Sequence, residues 1–355
     1  MDRVTLPAYT VGPDVFASFA DIVLPLGERV LLTGGHTALS VGRPVLERAI
    51  QGSGVHIVDV MHYGPDCTMQ AAGQVAEAAK AAHAQVIVGM GGGRALDTAK
   101  AAAEMLRLPV VTVPTIAATC AAVSALSVVY QEDGSLSHFY RLNTPPVHAF
   151  IHTGILAAAP AKYLRAGMGD STAKHVESTF SARGHAVNHR NALGLACSHS
   201  CYEPLMAIGP QALSDNEQGK DTPALRDAVL CNIVSTGIVS ILVDEGYNGA
   251  LAHSLYYPLE ELPQVAQHCL HGDVVAWGVL VQLVMDKDER APQYAQFLDG
   301  LRIPRTLAGM GVDKDNPAVD ALLQKATQQS DMEVVPYPVT HAMVRDAVSK
   351  VERMA

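Results

Sequence analysis

The feature that most limits what this chain can fold into is a rhythm over roughly its first 150 residues, where short β-branched runs alternate with alanine-rich segments. Residues 29–33 (RVLLT), 55–60 (VHIVDV), 85–88 (QVIV) and 109–113 (PVVTV) read as strands. Continuous apolar runs of this kind suit parallel strands covered on both faces. Between them, residues 71–82 (AAGQVAEAAKAA) and 94–107 (RALDTAKAAAEMLR) are strong helix formers. The pattern predicts an open α/β sheet. Residues 127–130 and 136–140 flank an Asp133-Gly134 turn and predict a hairpin appended to that sheet.

After about Thr153 strand-like runs become rare, and the second half reads as mostly helical. Thr222-Pro223 sets a capping hydroxyl before a proline at the first helical position, opening a helix to about Leu242, and Asn316-Pro317 repeats the device. Pro258 and Pro263 interrupt the chain between helical segments near Leu251 and Val274. Two domains follow, residues 1–155 and 156–355.

Of the 355 residues, 49% are hydrophobic and 17% charged, which excludes disorder; the formal charge of −10 and the lack of a basic block disfavour nucleic acid and anionic membranes as partners. A small-molecule substrate becomes the default. Met1-Asp2-Arg3 leads into no secretory signal, and residues 233–243 and 274–285 are too short to cross about 30 Å of hydrocarbon, so a cytoplasmic protein is expected. The six cysteines lack CxxC spacing and read as reduced thiols. Cys197, His199 and Cys201 are close in sequence, but on a helix His199 points away from the two cysteines.

Strand 85–88 runs into Gly89-Met90-Gly91-Gly92-Gly93, with a helix starting near Arg94. Side chains are absent where backbone N–H groups would approach a phosphate, with a helix dipole behind them. The loop reads as a pyrophosphate site or as a tight turn needing glycine for sterics. It is neither GxGxxG nor a Walker loop. Thr115 and Thr119 follow the next strand, where the nicotinamide half of a dinucleotide would pass. In the helical half, Asp170, His253 and His271 supply a carboxylate and two imidazoles, a set able to hold a divalent ion with room for a substrate oxygen. Their spacing alone does not establish that they meet.

The segments GMGGGRALDTAK, VPTIAATCAAVSALSVVY, AGMGD, LAH and HGDVVAWGVLVQL stand in the order and spacing of the metal-dependent (iron-containing) alcohol dehydrogenase family. The chain resembles its glycerol-dehydrogenase-like branch, and in motif is similar to hydroxycarboxylate dehydrogenases. The resemblance runs from about Arg29 to the C-terminus. It implies an α/β N-terminal Rossmann-like domain plus an all-α C-terminal domain, the dehydroquinate-synthase-like architecture. By the same resemblance Gly91, Gly92 and Gly93 bind the cofactor pyrophosphate, and Thr115, Ala118, Ser124, Leu126 and Tyr130 line the nicotinamide side. Asp170, His253 and His271 match the metal ligands, with the interval 271 − 253 = 18 preserved. The implied reaction is reversible hydride transfer between NAD(P)(H) and an alcohol or carbonyl carbon, and relatives commonly self-associate, implying a homo-oligomer.

Three departures from the family pattern matter. Lys174 stands where the iron-binding branch has a further histidine, which favours a three-ligand site suited to zinc, with nickel, iron and manganese also compatible. Cys120 replaces an aspartate that meets polyol hydroxyls in glycerol dehydrogenases. Losing that negative charge, with Lys174 one helical turn from Asp170, points to a 2-hydroxy or 2-oxo carboxylate substrate; Lys174 pairing with Glu177 or facing solvent is the plainer alternative. Glycerol or a vicinal diol is the alternative substrate, and a dehydroquinate-synthase-like lyase the alternative reaction. The segment Leu31-Leu32-Thr33-Gly34-Gly35-His36 lacks the acidic residue of the NAD-preferring branch near Gly34, so NADP(H) is allowed. His175 and His268 read as packing or surface residues.

Overall fold

The computed structural model describes residues 4–313 and 316–354; Met1, Asp2 and Arg3, where the absence of a secretory signal was read, lie outside them. The chain divides into two units: residues up to Pro160 with Gln218–Asp221, and Ala161–Glu217 with the remainder from Thr222.

The first unit runs β1 (Ala8–Gly12), α1 (Phe19–Val23), β2 (Arg29–Gly34), α2 (His36–Ala49), β3 (His56–His62), α3 (Met69–Ala81), β4 (Val86–Gly91), α4 (Gly93–Leu106), β5 (Val110–Pro114), β6 (Leu126–Tyr130), β7 (Leu136–Arg141), β8 (His148–His152) and α5 (Thr153–Ala157). Six strands form one parallel sheet in the order β1-β8-β5-β4-β2-β3. Adjacent residues of a strand face opposite sides of the sheet. Leu31 and Ile87 accordingly join the cluster under α3 and α4, which includes Val75, Ala99 and Ala102. Leu32 and Val88 join the other, with Phe16, Phe19 and Phe150.

The four strands read from the sequence are present, each shifted by a residue or a few. Two more, β1 and β8, were not legible. Each is five residues long, and β8 carries histidines at both ends; the Thr10 hydroxyl meets buried His148 Nε2 at 2.7 Å, satisfying polar groups that disguise the strands. The hairpin β6–β7 does not extend the main sheet but forms its own two-stranded one. It is fastened to α4 instead. The fully buried Lys100 ammonium pairs with Asp97 at 2.8 Å and donates to the Ser124 carbonyl and hydroxyl and to the Leu126 carbonyl. Asp97 accepts the Val128 N–H at 3.1 Å.

The second unit is helical: α6 (Ala161–Ser181), α7 (His189–Ser198), α8 (Glu203–Glu217), α9 (Pro223–Leu230), α10 (Thr236–Leu242), α11 (Leu251–Leu259), α12 (Pro263–His268), α13 (His271–Met285), α14 (Ala291–Leu301), α15 (Pro317–Ala326) and α16 (His341–Glu352). Thr222 and Asn316 cap α9 and α15, as their sequence predicts. A π turn at Cys231–Ser235 joins α9 to α10 without a break. The resulting stretch Pro223–Leu242 is long and apolar enough to cross a membrane, yet 61% of its apolar window is buried inside the protein, as in a core helix. Pro258 lies within α11 rather than between helices. It sits one residue from the helix's C-terminal end.

The crossing of α6 and α13 sets the geometry of this unit. A Cβ on Gly169 would lie 2.3 Å from the Gly272 carbonyl oxygen, and one on Gly272 would lie 1.8 Å from the Ala166 carbonyl oxygen. Only glycines allow the two backbones this close, and each glycine neighbours a candidate ligand, Asp170 or His271. Gly272→Ala is therefore expected to destabilise the protein by about 2 kcal/mol or more, by overpacking. Gly73→Ala, in α3 with nothing within 4 Å of the added Cβ, is expected to stabilise by about 0.5–1 kcal/mol. Denaturant midpoints measure both.

Candidate active site

In the first unit the sheet's carboxyl edge presents a glycine-lined turn. Gly91 sits at φ +156, and α4 begins from Gly92, which supplies no side-chain cap, leaving its first N–H groups for another acceptor. Cβ atoms on Gly91 and Gly92 would approach Ala95 Cβ at 2.7 Å and Ile116 Cδ1 at 2.6 Å, and one on Gly93 would meet the Thr119 hydroxyl at 3.2 Å. Sterics and an anion cradle thus demand the same residues. Thr115 donates its N–H to the Gly91 carbonyl at 3.0 Å, joining the next loop to this turn.

The other residues implied to line the nicotinamide side fall on the same unit. Ala118 and Cys120 are half-buried in the loop after β5, and the Cys120 carbonyl accepts the N–H groups of Val123 and Ser124. Ser124 is buried with its hydroxyl on Lys100, while Leu126 offers its carbonyl to the same ammonium. Tyr130 carries the Arg94 guanidinium over its ring at 4.9 Å. Lys100 was not singled out from the sequence, although a lysine three residues after an aspartate in an alanine-rich helix is the visible trace of this buried pair.

In the second unit, Asp170 on α6, His253 on α11 and His271 at the start of α13 come together with their ligand atoms all within 4.8 Å of one another. His253 Nε2 and His271 Nε2 lie 3.5 and 3.4 Å from Asp170 Oδ1. Ligand atoms bonded to one tetrahedral ion at about 2.0–2.1 Å are about 3.4 Å apart. The donor set and spacing fit a divalent ion. No other group of three such side chains that could hold a metal occurs among the described residues. Cys197, His199 and Cys201 do not assemble one: Cys201 is buried and the His199 imidazole meets Glu203 at 3.1 Å. All six cysteines are free thiols. His268 is exposed and bound to the Gln264 carbonyl.

The residue that sequence reading missed here is Glu177. Completely buried, its carboxylate faces His253 Nδ1 at 2.5 Å and accepts the N–H groups of Ala250 and His253, each at 2.9 Å. It thereby caps α11, whose N-cap Ala250 has no polar side chain, and fixes which His253 nitrogen turns toward Asp170. Burial alone would lower the His253 pKa, but the Glu177 charge and the Asp170 and Glu177 hydrogen bonds outweigh it and push the imidazole up to about 10. Burial also works against the Asp170 anion, yet hydrogen bonds from both histidines hold its carboxyl well below the usual range. Ion binding must displace an imidazole proton. Lys174, half-buried, does not pair with Glu177; its ammonium donates to the Asn248 carbonyl at 3.3 Å and electrostatically disfavours the protonated His253.

A family model described as iron-containing alcohol dehydrogenase matches residues 7–153. Escherichia coli glycerol dehydrogenase is 32% identical over 334 residues, which cover 92% of this chain and 89% of the relative. Hydroxycarboxylate dehydrogenase A of Escherichia coli is 35% identical over 271 residues, 75% of each chain. Among solved structures, a probable glycerol dehydrogenase from Sinorhizobium meliloti has a TM-score of 0.84 at 26% identity, covering 99% of this chain and 98% of that one. The chain belongs to the iron-containing alcohol dehydrogenase family. It is accordingly a metal-dependent, NAD-type oxidoreductase.

Two measurements follow from these contacts. Glu177→Ala should weaken zinc binding, read by competition with a chelator, by about 10- to 100-fold, and Glu177→Gln by less; unchanged affinity would remove Glu177 as a positioning residue. Burial first, then His199 and Arg290, lower the pKa of His175 to about 4, and its Nδ1 meets the Ser198 hydroxyl at 2.9 Å. Between pH 6.5 and 4 the unfolded chain binds this proton and the folded chain does not, so stability falls as pH falls. The contribution, up to about 3 kcal/mol, is complete above pH 6.5 and lost near pH 4. His175→Gln should flatten that part of a stability–pH curve.

Proposed function

We propose that the protein transfers hydride reversibly between NAD(P)(H) and a small 2-hydroxy or 2-oxo carboxylate, with Asp170, His253 and His271 holding one divalent ion, zinc being the best suited. The observation that carries this reading is the convergence of those three side chains with Lys174 one turn along α6 from Asp170. When bound, the ion supplies Lewis acidity at a substrate oxygen, and the nicotinamide takes or returns the hydride. In oxidation the carbon loses a hydride and the hydroxyl loses a proton, giving the oxo acid, reduced cofactor and one proton. Asp170 keeps its charge, because both imidazoles stabilise the anion. Glu177 keeps His253 in one tautomer. Lys174 supplies a positive charge beside them, its ammonium on the Asn248 carbonyl, and this suits a carboxylate on the carbon next to the reacting one.

Cys120 supports the same reading, because a thiol in place of an acid imposes no charge repulsion on an anionic substrate. On the cofactor side, Gly91, Gly92 and Gly93 would receive the pyrophosphate at the start of α4. The lack of an acid near Gly34, with glycine at both 34 and 35, supports acceptance of NADP(H). A second reading, oxidation of glycerol or a vicinal diol, is favoured by the glycerol dehydrogenases among the relatives, one of which matches over 92% of this chain.

Nicotinamide absorbance with 2-oxo acids, 2-hydroxy acids, glycerol and vicinal diols, with and without added zinc, separates the two readings. Lys174→Ala is expected to raise KM for a 2-oxo acid by about 10- to 100-fold while sparing any diol activity. An unchanged preference for oxo acids over glycerol would reject Lys174 as the carboxylate partner.

A further inference from the structure

The carboxyl edge of the first unit's sheet has a lateral order that no single motif reveals. Thr115 follows β5, the glycine turn follows β4, Gly34 and Gly35 end β2, and His62 ends β3, with these strands neighbours in that order. The turns adjoin: Thr115 N–H reaches the Gly91 carbonyl, and a Cβ on Gly91 would lie 3.8 Å from the Gly35 nitrogen. A dinucleotide with its pyrophosphate at Gly91–93 and its nicotinamide toward Thr115 therefore directs its adenosine toward β2 and β3.

Two imidazoles stand there. His36, the first residue of α2, and His62, paired in register with Gly34, stack at a centroid distance of 3.9 Å with an interplanar angle of 16°. His62 Nδ1 lies 3.2 Å from the Gly64 N–H and accepts it, which leaves Nε2 as the nitrogen that donates. The His36 ring is exposed. Tyr63 closes the back of the turn, 3.7 Å from where a Gly35 Cβ would be. On neighbouring elements Arg43 pairs with Glu47 at 2.7 Å on α2 and Arg94 with Asp66 at 2.9 Å. No acid that would repel a phosphate stands at Gly34 or Gly35.

We propose that the stacked His36–His62 pair is the recognition site for the 2′-phosphate of an NADP(H) adenosine. Burial first, then the neighbouring His36, lower the pKa of His62. A phosphate dianion accepts charge-assisted N–H donation from both rings, so the pair binds the phosphate more strongly than it binds a ribose hydroxyl. Arg43, by contrast, already has its Nε on Glu47 at 2.7 Å.

The inference rests on the dinucleotide reading above, and calorimetry on the zinc-loaded protein separates the two. The ligands are NADPH, NADH, 2′,5′-ADP and 5′-AMP. His36→Ala and His62→Ala are each expected to weaken NADPH and 2′,5′-ADP about tenfold while leaving NADH and 5′-AMP within twofold. Because His36 is exposed, its substitution should leave the melting temperature unchanged and keeps the test informative if His62→Ala fails to fold. Equal losses for phosphorylated and unphosphorylated ligands would mean the rings stack on adenine, and would overturn the proposal, as would no loss at all or an unmodified protein that binds NADH but not NADPH. An unmodified protein that binds neither dinucleotide would defeat the underlying reading instead.

Discussion

The candidate metal site depends on a close backbone approach where α6 crosses α13. Gly169 and Gly272 let the two helices meet with carbonyl oxygens where side chains would otherwise stand. The residues that follow and precede them, Asp170 and His271, are thereby carried to within 3.4 Å of each other. Asp273, one residue beyond Gly272, is buried and gripped by both arms of Arg165 at 2.9 and 2.8 Å, and accepts the Leu270 N–H at the start of α13. The bidentate contact fixes the rotation of α13 relative to α6. His271 is thus aimed by the backbone, not by a long loop.

His253 is placed by different means. Its helix lacks a capping side chain of its own, and the buried Glu177 carboxylate supplies one from α6 while also holding the imidazole. A fully buried carboxylate is costly unless both its oxygens are hydrogen-bonded. Glu177 meets that condition with two backbone N–H groups and one ring nitrogen. The first unit solves a similar problem at Lys100, where a buried ammonium is satisfied by Asp97 and by carbonyls at the start of the β6–β7 hairpin. In each unit, taken by itself, a buried charge ties a segment that carries candidate site residues to a helix.

Much of this was legible because its signals are local. The apolar runs at β2, β4 and β5 declare buried parallel strands, and the proline-led caps at Thr222 and Asn316 open helices where they stand. The glycine turn before α4 and the three candidate ligands were visible as residue types. What escaped the reading shares one property: its partner is remote. β1 is recognisable only beside β8, 138 positions on by the Thr10–His148 contact. Glu177 looked like a partner for Lys174, a neighbour in sequence, but turns instead to His253, 76 residues away. Pro258 looked like a helix breaker because proline chemistry is local, whereas it lies, buried, in the last turn of α11.

The sequence by itself determined the alternation that makes the first unit an α/β sheet, the helical character of the second, and the donor types available to a cation and a phosphate. These follow from covalent structure and side-chain chemistry, which act over one or two turns of chain. Only the tertiary structure decided that Asp170, His253 and His271 share one point, that Glu177 orients one of them, and that His36 stacks on His62. Such meetings depend on which backbones can approach closely and which buried charges find partners, and those conditions are met between segments that the order of residues keeps far apart.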